Sequence, residues 1–419
     1  MESFAKKKLL ILGAYQSEVE IIKAARELGL YTIVTDNHTD WEQAPAKFVA
    51  DEAWNISWSD IKALREKCIE DGVQGVFAGF SEPRIQNAQK LATALDKPFY
   101  TDGVNLEVIC DKIKFKQACV DSGVTVPRKY SLDDKIEYPV IVKPADNGGS
   151  RGISICYSDE ELREAYEKAM QQSPKKEVVI EQYIVADEVM VYFTVHNGFV
   201  DLSAMCDRYM YRFDKNITQL PVGYYFPSKY LNVFTDHNLE KFERLIQNLG
   251  IRDGLIAFQA FVVGTDVIPF DPTYRLDGTM SYHMIEKRNN INVLKMLIAK
   301  SITGSMGIDA EISKKENAFF EKPTFELPIL LKAGRVSTIE GLDEIRNLQN
   351  VVFVYQNKFI GDRLDKVADF SQIMCRIHIC AENDDAIKET VDAIYSRLKV
   401  LDENGGDMII GRKLFHVGV

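Results

Sequence analysis

The chain reads as a mixed α/β and α+β protein of three parts. Strands alternate with helices over the first part, which is the pattern of a parallel sheet. From about residue 111 the sequence turns β-rich behind a glycine-rich hairpin. The remainder is a smaller α+β unit in which strands alternate with one amphipathic helix. We place the parts at 1–110, 111–310 and 311–419.

In the first part Lys8 to Gly13 carries a continuous apolar run, as a strand buried on both faces requires. Ser17 opens a helix, with Glu20 three residues on to complete a capping box. Ile21, Ala24, Ala25 and Leu28 share one face, and Gly29 stops the helix. Tyr31 to Thr35 and Val73 to Ala78 are further strands, and a helix spans about Asp60 to Asp71. A dinucleotide fingerprint needs three glycines so that backbone can approach a pyrophosphate. The matching positions here hold Gly13, Tyr15 and Glu18, and a glutamate at the helix entrance repels phosphate. Even with an acid, Asp36, after the second strand, the better reading is a Rossmann-like scaffold whose strand ends line a substrate cleft.

In the second part Asp111 to Val120 is helical. Two extended segments follow, Val140 to Lys143 and Ile153 to Cys156, joined by ADNGGSRG. A Glu- and Lys-rich helix (160–171) precedes strand Val178 to Ile180, then β-rich sequence from Val189 to Val195 onward to Phe270, and a helix from Asn292 to Ser301. In the third part Val351 to Tyr355 and Met374 to Ile379 are strands, and Ala386 to Leu398 is a helix.

Composition excludes several function classes. Hydrophobic residues make up 46% and charged residues 27%, a globular balance. The net charge of −11 argues against sequence-blind nucleic-acid binding, which rests on phosphate neutralisation. The longest apolar stretch, Gly254 to Gly264, is broken by Gln259 and is shorter than the roughly 18 residues of a membrane span. KKKLLILGAY lacks a cleavage site and reads as a strand, not a signal peptide. The seven cysteines form no CxxC, so we expect free thiols in a reducing cytoplasm. The six histidines show no zinc spacing.

Three constellations carry chemistry. Lys143 ends a strand and is followed by Gly148, Gly149, Ser150 and Gly152, whose freed backbone can turn N–H groups toward an anion. Missing GK[ST], this is not a Walker loop. Next come Glu181, Tyr183 and Ile184, with Glu188 seven residues after Glu181. A strand ending in an acid and an apolar residue can read adenine, and a second acid can take ribose hydroxyls. Last, Gln259 and Asp271 fall side by side if Phe258 to Phe261 and Val267 to Asp271 form a hairpin turned near Gly264. Asp271 offers hard oxygen to Mg²⁺, and Arg275 offers a planar fork to a carboxylate or phosphoryl group.

The order, spacing and residue types resemble the ATP-grasp superfamily along the whole chain, in the branch of carbamoyl-phosphate synthase, biotin carboxylase and amino-acid ligases. The resemblance implies a pre-ATP-grasp Rossmann-like N-domain (1–110), a two-lobed grasp (111–310, with a flexible lid at about 125–190) and a C-terminal extension (311–419). It implies that Lys112 and Lys143 contact the ATP phosphates and that Gly148, Gly149, Ser150 and Gly152 belong to the loop closing over them. Glu181, Tyr183 and Ile184 become adenine contacts and Glu188 the ribose acid. Gln259, Asp271 and Thr273 fall on the metal ligands, and Asp271 and Arg275 on the catalytic positions. The sequence departs from the pattern at Gln259, where the family has glutamate, and at Thr273, where it has asparagine. Mg²⁺, or Mn²⁺ in its place, would have one anionic protein ligand.

The implied function is ATP-dependent ligation. A small-molecule carboxylate becomes an acyl phosphate, an amine attacks it, and ADP and phosphate are released. Arg208, Arg275 and His283 are the substrate candidates, with Tyr224, Tyr225 and Pro227 shaping the pocket. The alternative is a catalytically weak or inactive ATP-binding protein, favoured by Gln259 and Thr273. A homodimer is the default assembly, with no nucleic-acid or membrane partner.

Overall fold

The computed structural model describes residues 4–145, 152–212, 219–307, 316–365 and 370–411. Its first layer is a parallel sheet ordered β3-β2-β1-β4, built from β1 (Lys8–Leu12), β2 (Tyr31–Thr35), β3 (Glu52–Trp54) and β4 (Gly75–Phe77). Leu9 to Leu12 are fully buried, which is why they read as an unbroken apolar run. Helices α1 (Gln16–Glu27), α2 (Ile61–Glu70) and α3 (Glu82–Ala94) connect and flank the strands, and α4 (Gly103–Cys110) and α5 (Lys112–Asp121) lead out. One local expectation shifts. Helix α1 is capped at Tyr15, not Ser17, and the reaching acid is Glu18, whose Oε2 accepts from the Tyr15 N–H at 3.0 Å. Glu18 can do this while buried because Arg84 lies 2.7 Å away and balances its charge.

The second layer is a small antiparallel sheet ordered β5-β8-β6-β7, from β5 (Lys129–Tyr130), β6 (Val140–Pro144), β7 (Ser154–Cys156) and β8 (Val178–Gln182). Helix α6 (Asp159–Gln172) packs on it through Leu162, Ala165 and Ala169, capped by Ser158 and started with three acids that suit the helix dipole. This lobe has its own core around Tyr130, Val140, Val142 and Ile180.

The third layer is a nine-stranded sheet. Its main path runs β13-β12-β9-β10-β11-β14-β18-β16. The strands are β9 (Asp187–His196), β10 (Phe199–Arg212), β11 (Gln219–Phe226), β12 (Gly254–Val263), β13 (Asp266–Thr273), β14 (Thr324–Leu331), β16 (Val351–Gln356) and β18 (Ile373–Cys380). β15 (Gly334–Glu340) pairs with β17 (Arg363–Leu364) and β19 (Lys399–Asp402) in a separate sheet, and β20 (Ile409–Ile410) adds to β14. Helices α7 (Leu231–His237), α8 (Leu239–Asn248), α9 (Tyr282–Asn289) and α10 (Val293–Thr303) pack on the large sheet, with α11 (Leu342–Arg346) and α12 (Asp384–Arg397) on its C-terminal end. The pairing of Tyr224 with Glu326 and Phe226 with Thr324 carries the sheet straight across residue 311. The C-terminal segment is therefore hydrogen-bonded into the same sheet as the strands before it.

Buried charges at this junction are paired. Arg376 on β18 bonds Glu326 on β14, and both are almost fully buried. Burial works against the Arg376 charge, but Glu326 and Tyr224 beside it outweigh that and raise its proton affinity. Ser203 donates to the buried Glu316, and burial pushes that carboxyl up to about 7 from the usual 4.5. The seven cysteines are free thiols, and no helix among the described residues is long and apolar enough to cross a membrane.

Two stability outcomes follow. Gly341 has φ +84°, and an added Cβ would sit 2.2 Å from the Arg397 carbonyl oxygen. Gly341→Ala should cost about 2–3 kcal/mol, read as a lowered urea midpoint at unchanged slope. The Glu316 carboxyl holds its proton more tightly folded than unfolded. Its stabilisation is thus full below pH 4.5 and is lost as the pH rises through about 7. Glu316→Gln should remove a loss of up to about 3 kcal/mol. The variant should melt above the wild type near pH 8 and level with it near pH 4.5, which thermal melts at the two pH values check.

Candidate active site

A cleft of about 940 Å³ opens between the small sheet, the edge of the nine-stranded sheet, the C-terminal ends of the N-terminal strands and the C-terminal segment. Lys112, Lys143, Glu181, Tyr183, Ile184, Glu188, Arg208, Gln259, Asp271, Thr273 and Arg275 all line it. Residues from six separate stretches of sequence thus meet in one place. Gly148, Gly149 and Ser150 lie outside the described residues. Gly152 does not line the cleft. It turns with φ +77° beside Pro144 and Gln172, a conformation that favours glycine.

One end of the cleft is cationic and apolar. Asp111 caps α5 by accepting from the Ile113 and Lys114 N–H groups at 3.0 and 3.2 Å, which fixes Lys112 at the first helical position. Lys143 on β6 and Glu181 on β8 are on the same face, because Ile141 pairs with Glu181 and Lys143 with Val179. Lys143 Nζ lies 3.0 Å from Glu181 Oε2. Burial, with Lys112 nearby, pushes the Lys143 ammonium down to about 8. Ile141 and Ile155 of the small sheet, Ile153 just before β7, and Ile184, Met210 and Phe261 give the cleft an apolar lining, and Phe261 stacks on Phe270 at 4.4 Å. A flat, weakly polar ring fits between such walls.

The middle of the cleft is set by the β12–β13 hairpin. Gln259 pairs with Asp271 in register, and Gln259 Nε2 donates to Asp271 Oδ2 at 3.3 Å. The surrounding protein raises the Asp271 carboxyl, with Lys112 and Arg275 opposing and Glu82 adding repulsion. Thr273 is buried one step along. Arg275 leaves the strand and donates to the Leu276 carbonyl at 3.0 Å. The turn beyond is pinned by Thr279 N–H to Asp277 Oδ1 at 3.1 Å and by His378, whose Nε2 donates to the Thr279 carbonyl at 2.8 Å. Burial pushes the His378 imidazole down to about 3, so it stays neutral and keeps that donor.

At the far end the expected substrate residues divide. Arg208 lines the cleft, but its Nη1 is held by Glu188 Oε2 at 2.6 Å through the β9–β10 register that pairs the two residues. His283 is off the cleft. Its ring stacks on Phe353 at 3.9 Å and its Nε2 is 3.6 Å from Glu20. α9 starts at Tyr282, and the first turn of that helix points the imidazole into the N-domain interface. Tyr224 lines the cleft at the foot of Arg208.

Glu82, Arg84, Tyr355, Lys358 and Arg376 also line the cleft and were not singled out from sequence. Each comes from an element whose approach to the site is set by tertiary packing, so spacing carries no trace of it. Arg84 settles the dinucleotide question. An added Cβ at Gly13 would sit 2.2 Å from its Nη1, so its side chain fills the space a pyrophosphate needs, and Glu18 already occupies the entrance of α1.

On the hairpin wall a divalent ion would find one carboxylate, Asp271, with the amide oxygen of Gln259 and the Thr273 hydroxyl nearby. Among the described residues no group of three or more His, Cys, Asp or Glu could hold a metal. That donor set suits a hard cation whose remaining ligands come from a bound polyphosphate. If the cleft takes ATP as the sequence resemblance implies, Lys143→Ala should weaken that binding by roughly tenfold or more, and Asp271→Asn should abolish turnover with a smaller effect on binding. Calorimetry and phosphate release on the two variants check these outcomes separately.

The family described as D-ala D-ala ligase C-terminus matches residues 121–214, which hold the small sheet and the start of the large one. The formate-dependent phosphoribosylglycinamide formyltransferase of Wolinella succinogenes is 25% identical over 206 residues, covering 46% of this chain and 51% of that protein. The chain thus spans about half the length of the first curated relatives it matches. The L-amino acid ligase of Bacillus licheniformis superposes with TM-score 0.77 at 18% identity over 96% of this chain and 100% of its own. The biotin carboxylase domain of Hydrogenobacter thermophilus 2-oxoglutarate carboxylase, solved as a dimer with MgADP, ADP and bicarbonate, gives 0.74 at 17% identity over 94% and 91%. The fold, the matched segment and the relatives agree: the chain has the ATP-grasp fold and is similar to carboxylate–amine ligases.

Proposed function

We propose that this chain is an ATP-dependent, ADP-forming ligase that joins a small-molecule carboxylate to an amine in the cytoplasm, working as a homodimer. The observation that carries the reading is the convergence of Lys112, Lys143, Asp271 and Arg275 on one cleft beside an apolar slot. The slot takes adenine, and the two lysines take the phosphates. Glu188, currently paired with Arg208, is in position to exchange that partner for ribose hydroxyls.

In the first step a carboxylate oxygen attacks the γ-phosphorus. The new O–P bond forms as the bond to the β-phosphate oxygen breaks, and ADP leaves. In the second step an amine attacks the acyl carbon, loses a proton, and phosphate departs. Phosphoryl transfer asks the protein for positioning and charge neutralisation rather than a nucleophile. Lys112 and Lys143 hold the leaving side, and Arg275 holds the transferred group. When bound, Mg²⁺ or Mn²⁺ supplies further charge neutralisation, with Asp271 as its anionic ligand and Gln259 and Thr273 as neutral oxygen donors. The small sheet closing over the slot excludes water, which would otherwise hydrolyse the acyl phosphate.

A second reading has one specific observation behind it. The amide of Gln259 donates to Asp271, the one carboxylate on this hairpin wall. A chain that binds nucleotide but turns it over slowly would look the same. A screen of acid and amine pairs with Mg-ATP separates the two. The ligase reading expects phosphate release that requires both an acid and an amine. ATP-raised melting temperature with no ADP formed for any pair would leave only the binding protein, and no thermal shift at all would remove both.

A further inference from the structure

The turn between α6 and β8 is more tightly made than a surface connection needs. Pro174 fixes one backbone angle. Ser173 accepts the Glu177 N–H on its Oγ at 3.0 Å and the Lys176 N–H on its carbonyl at 3.2 Å. Lys176 takes the left-handed region at φ +59° and lays its Nζ on the Met170 and Gln171 carbonyls at 3.3 and 3.4 Å, which closes the end of α6. Lys175, between Pro174 and Lys176, reaches out of the small lobe and pairs its Nζ with Asp111 Oδ2 at 2.9 Å.

Asp111 is the cap of α5. Its Oδ1 accepts the Ile113 and Lys114 N–H groups, and its Oδ2 takes Lys175. Burial works against the Asp111 charge, but Lys175 and the two N–H groups outweigh it and hold the carboxyl below its usual range. One side chain thus links the first turn of α5, which carries Lys112, to the small lobe. The same turn is fastened beside Lys143, because the Ala145 N–H donates to the Glu177 carbonyl at 3.0 Å. The lobe has a core of its own, so it can shift as a body, and the gap between Lys112 and Lys143 shifts with it.

Fold stability gives a weak account of this pair, because an ion pair made by a half-exposed lysine adds little to folding. Position gives a better one. After burial, Lys112 is the largest influence pushing the Lys143 ammonium down, so the two cations repel while no anion lies between them. A tie outside the cleft works against that repulsion and leaves both cations available to a ligand. We propose that Lys175 is a positioning residue: its bond to the cap of α5 holds the small lobe at the spacing where Lys112 and Lys143 can share one polyphosphate.

The inference rests on the nucleotide reading, and one experiment separates the two. Calorimetry on the full chain gives Kd for Mg-ATP in the wild type, Lys175→Met, Lys175→Arg, Lys175→Glu and Asp111→Asn. Lys175→Met should weaken binding about fivefold, with a ligand-free melting temperature within about 1 °C of the wild type. Lys175→Arg should return to within about twofold of the wild type, since it restores the cation. Lys175→Glu sets a like charge beside Asp111 and near Glu107 and should weaken binding about tenfold or more. Asp111→Asn keeps a capping oxygen but loses the charge. It should match Lys175→Met, and the double variant should fall no further. In a Lys143→Ala background the gap no longer matters, and Lys175→Met should change Kd by less than about twofold. A lysine that merely steadied the fold would cost the same in both backgrounds. A wild type that binds Mg-ATP while Lys175→Met and Lys175→Glu bind it equally well overturns this inference and leaves the nucleotide reading standing. So does a Lys175→Met effect undiminished by Lys143→Ala. A wild type that binds no Mg-ATP overturns both.

Discussion

The short ladder between Tyr224–Phe226 and Thr324–Glu326 is the constraint on which the rest of the molecule depends. Without it the strands before residue 311 and those after it would be two bodies joined by a linker. With it they form one sheet, and the C-terminal strands become a fixed wall of the cleft. Arg376, on β18, owes its place at the cleft to the β14–β18 register, which also lets it pair with Glu326 on the adjacent strand. His378, two residues on, uses the same register to reach the Thr279 carbonyl and pin the turn that follows Arg275. A sheet transmits position well because each strand's register is tied to its neighbour's by many hydrogen bonds. The arginine after Asp271 is therefore held from both directions along the chain.

Within that frame the cleft resolves a conflict between charge and burial. An acidic chain gathers cations around one crevice, and each buried cation there needs a counter-charge. The partners come from other elements: Glu18 for Arg84, Glu188 for Arg208, Glu326 for Arg376, and Glu181 for Lys143 and Lys116. An anionic ligand entering such a site exchanges one partner for another instead of meeting bare charge. The Coulombic gain is reduced by what it displaces, so the arrangement favours selectivity over raw affinity.

Much of this was legible in the sequence, for identifiable reasons. Three of the four parallel strands and the span of helix α2 were readable because their signals are local, whereas the three-residue β3 was too short to show. The Gln259–Asp271 juxtaposition was readable because a hairpin fixes its own register. The lysines and acids were found through motif order. What was not legible is what distance hides. Lys116 looks like any helix lysine until β8 brings Glu181 to it. His283 looks like a site residue until α9 turns it against Phe353 and away from the cleft. The cap of α1 was misplaced because Tyr15 is a poor capping residue by type, and only the buried Glu18–Arg84 pair makes the earlier start favourable.

On the proposed reading, the hairpin wall also says how a nucleotide's charge would be shared. Two carboxylates at this point would hold a cation firmly and would repel an incoming triphosphate unless the cation arrived first. A glutamine in place of one removes a unit of negative charge from the side of the cleft facing Lys112 and Arg275, and its amide bonds the acid that remains. The triphosphate then meets less repulsion and depends more on the protein's own cations, while a metal depends more on the triphosphate. Under the proposed reading, nucleotide and cation enter as one unit, and the order of binding is fixed by electrostatics at residues 259 and 271 rather than by the lid. The same substitution shifts neutralisation of the transferred phosphoryl group toward Arg275. The rigid seating of that arginine, through the turn that His378 pins, then counts for more than it would beside a two-carboxylate site.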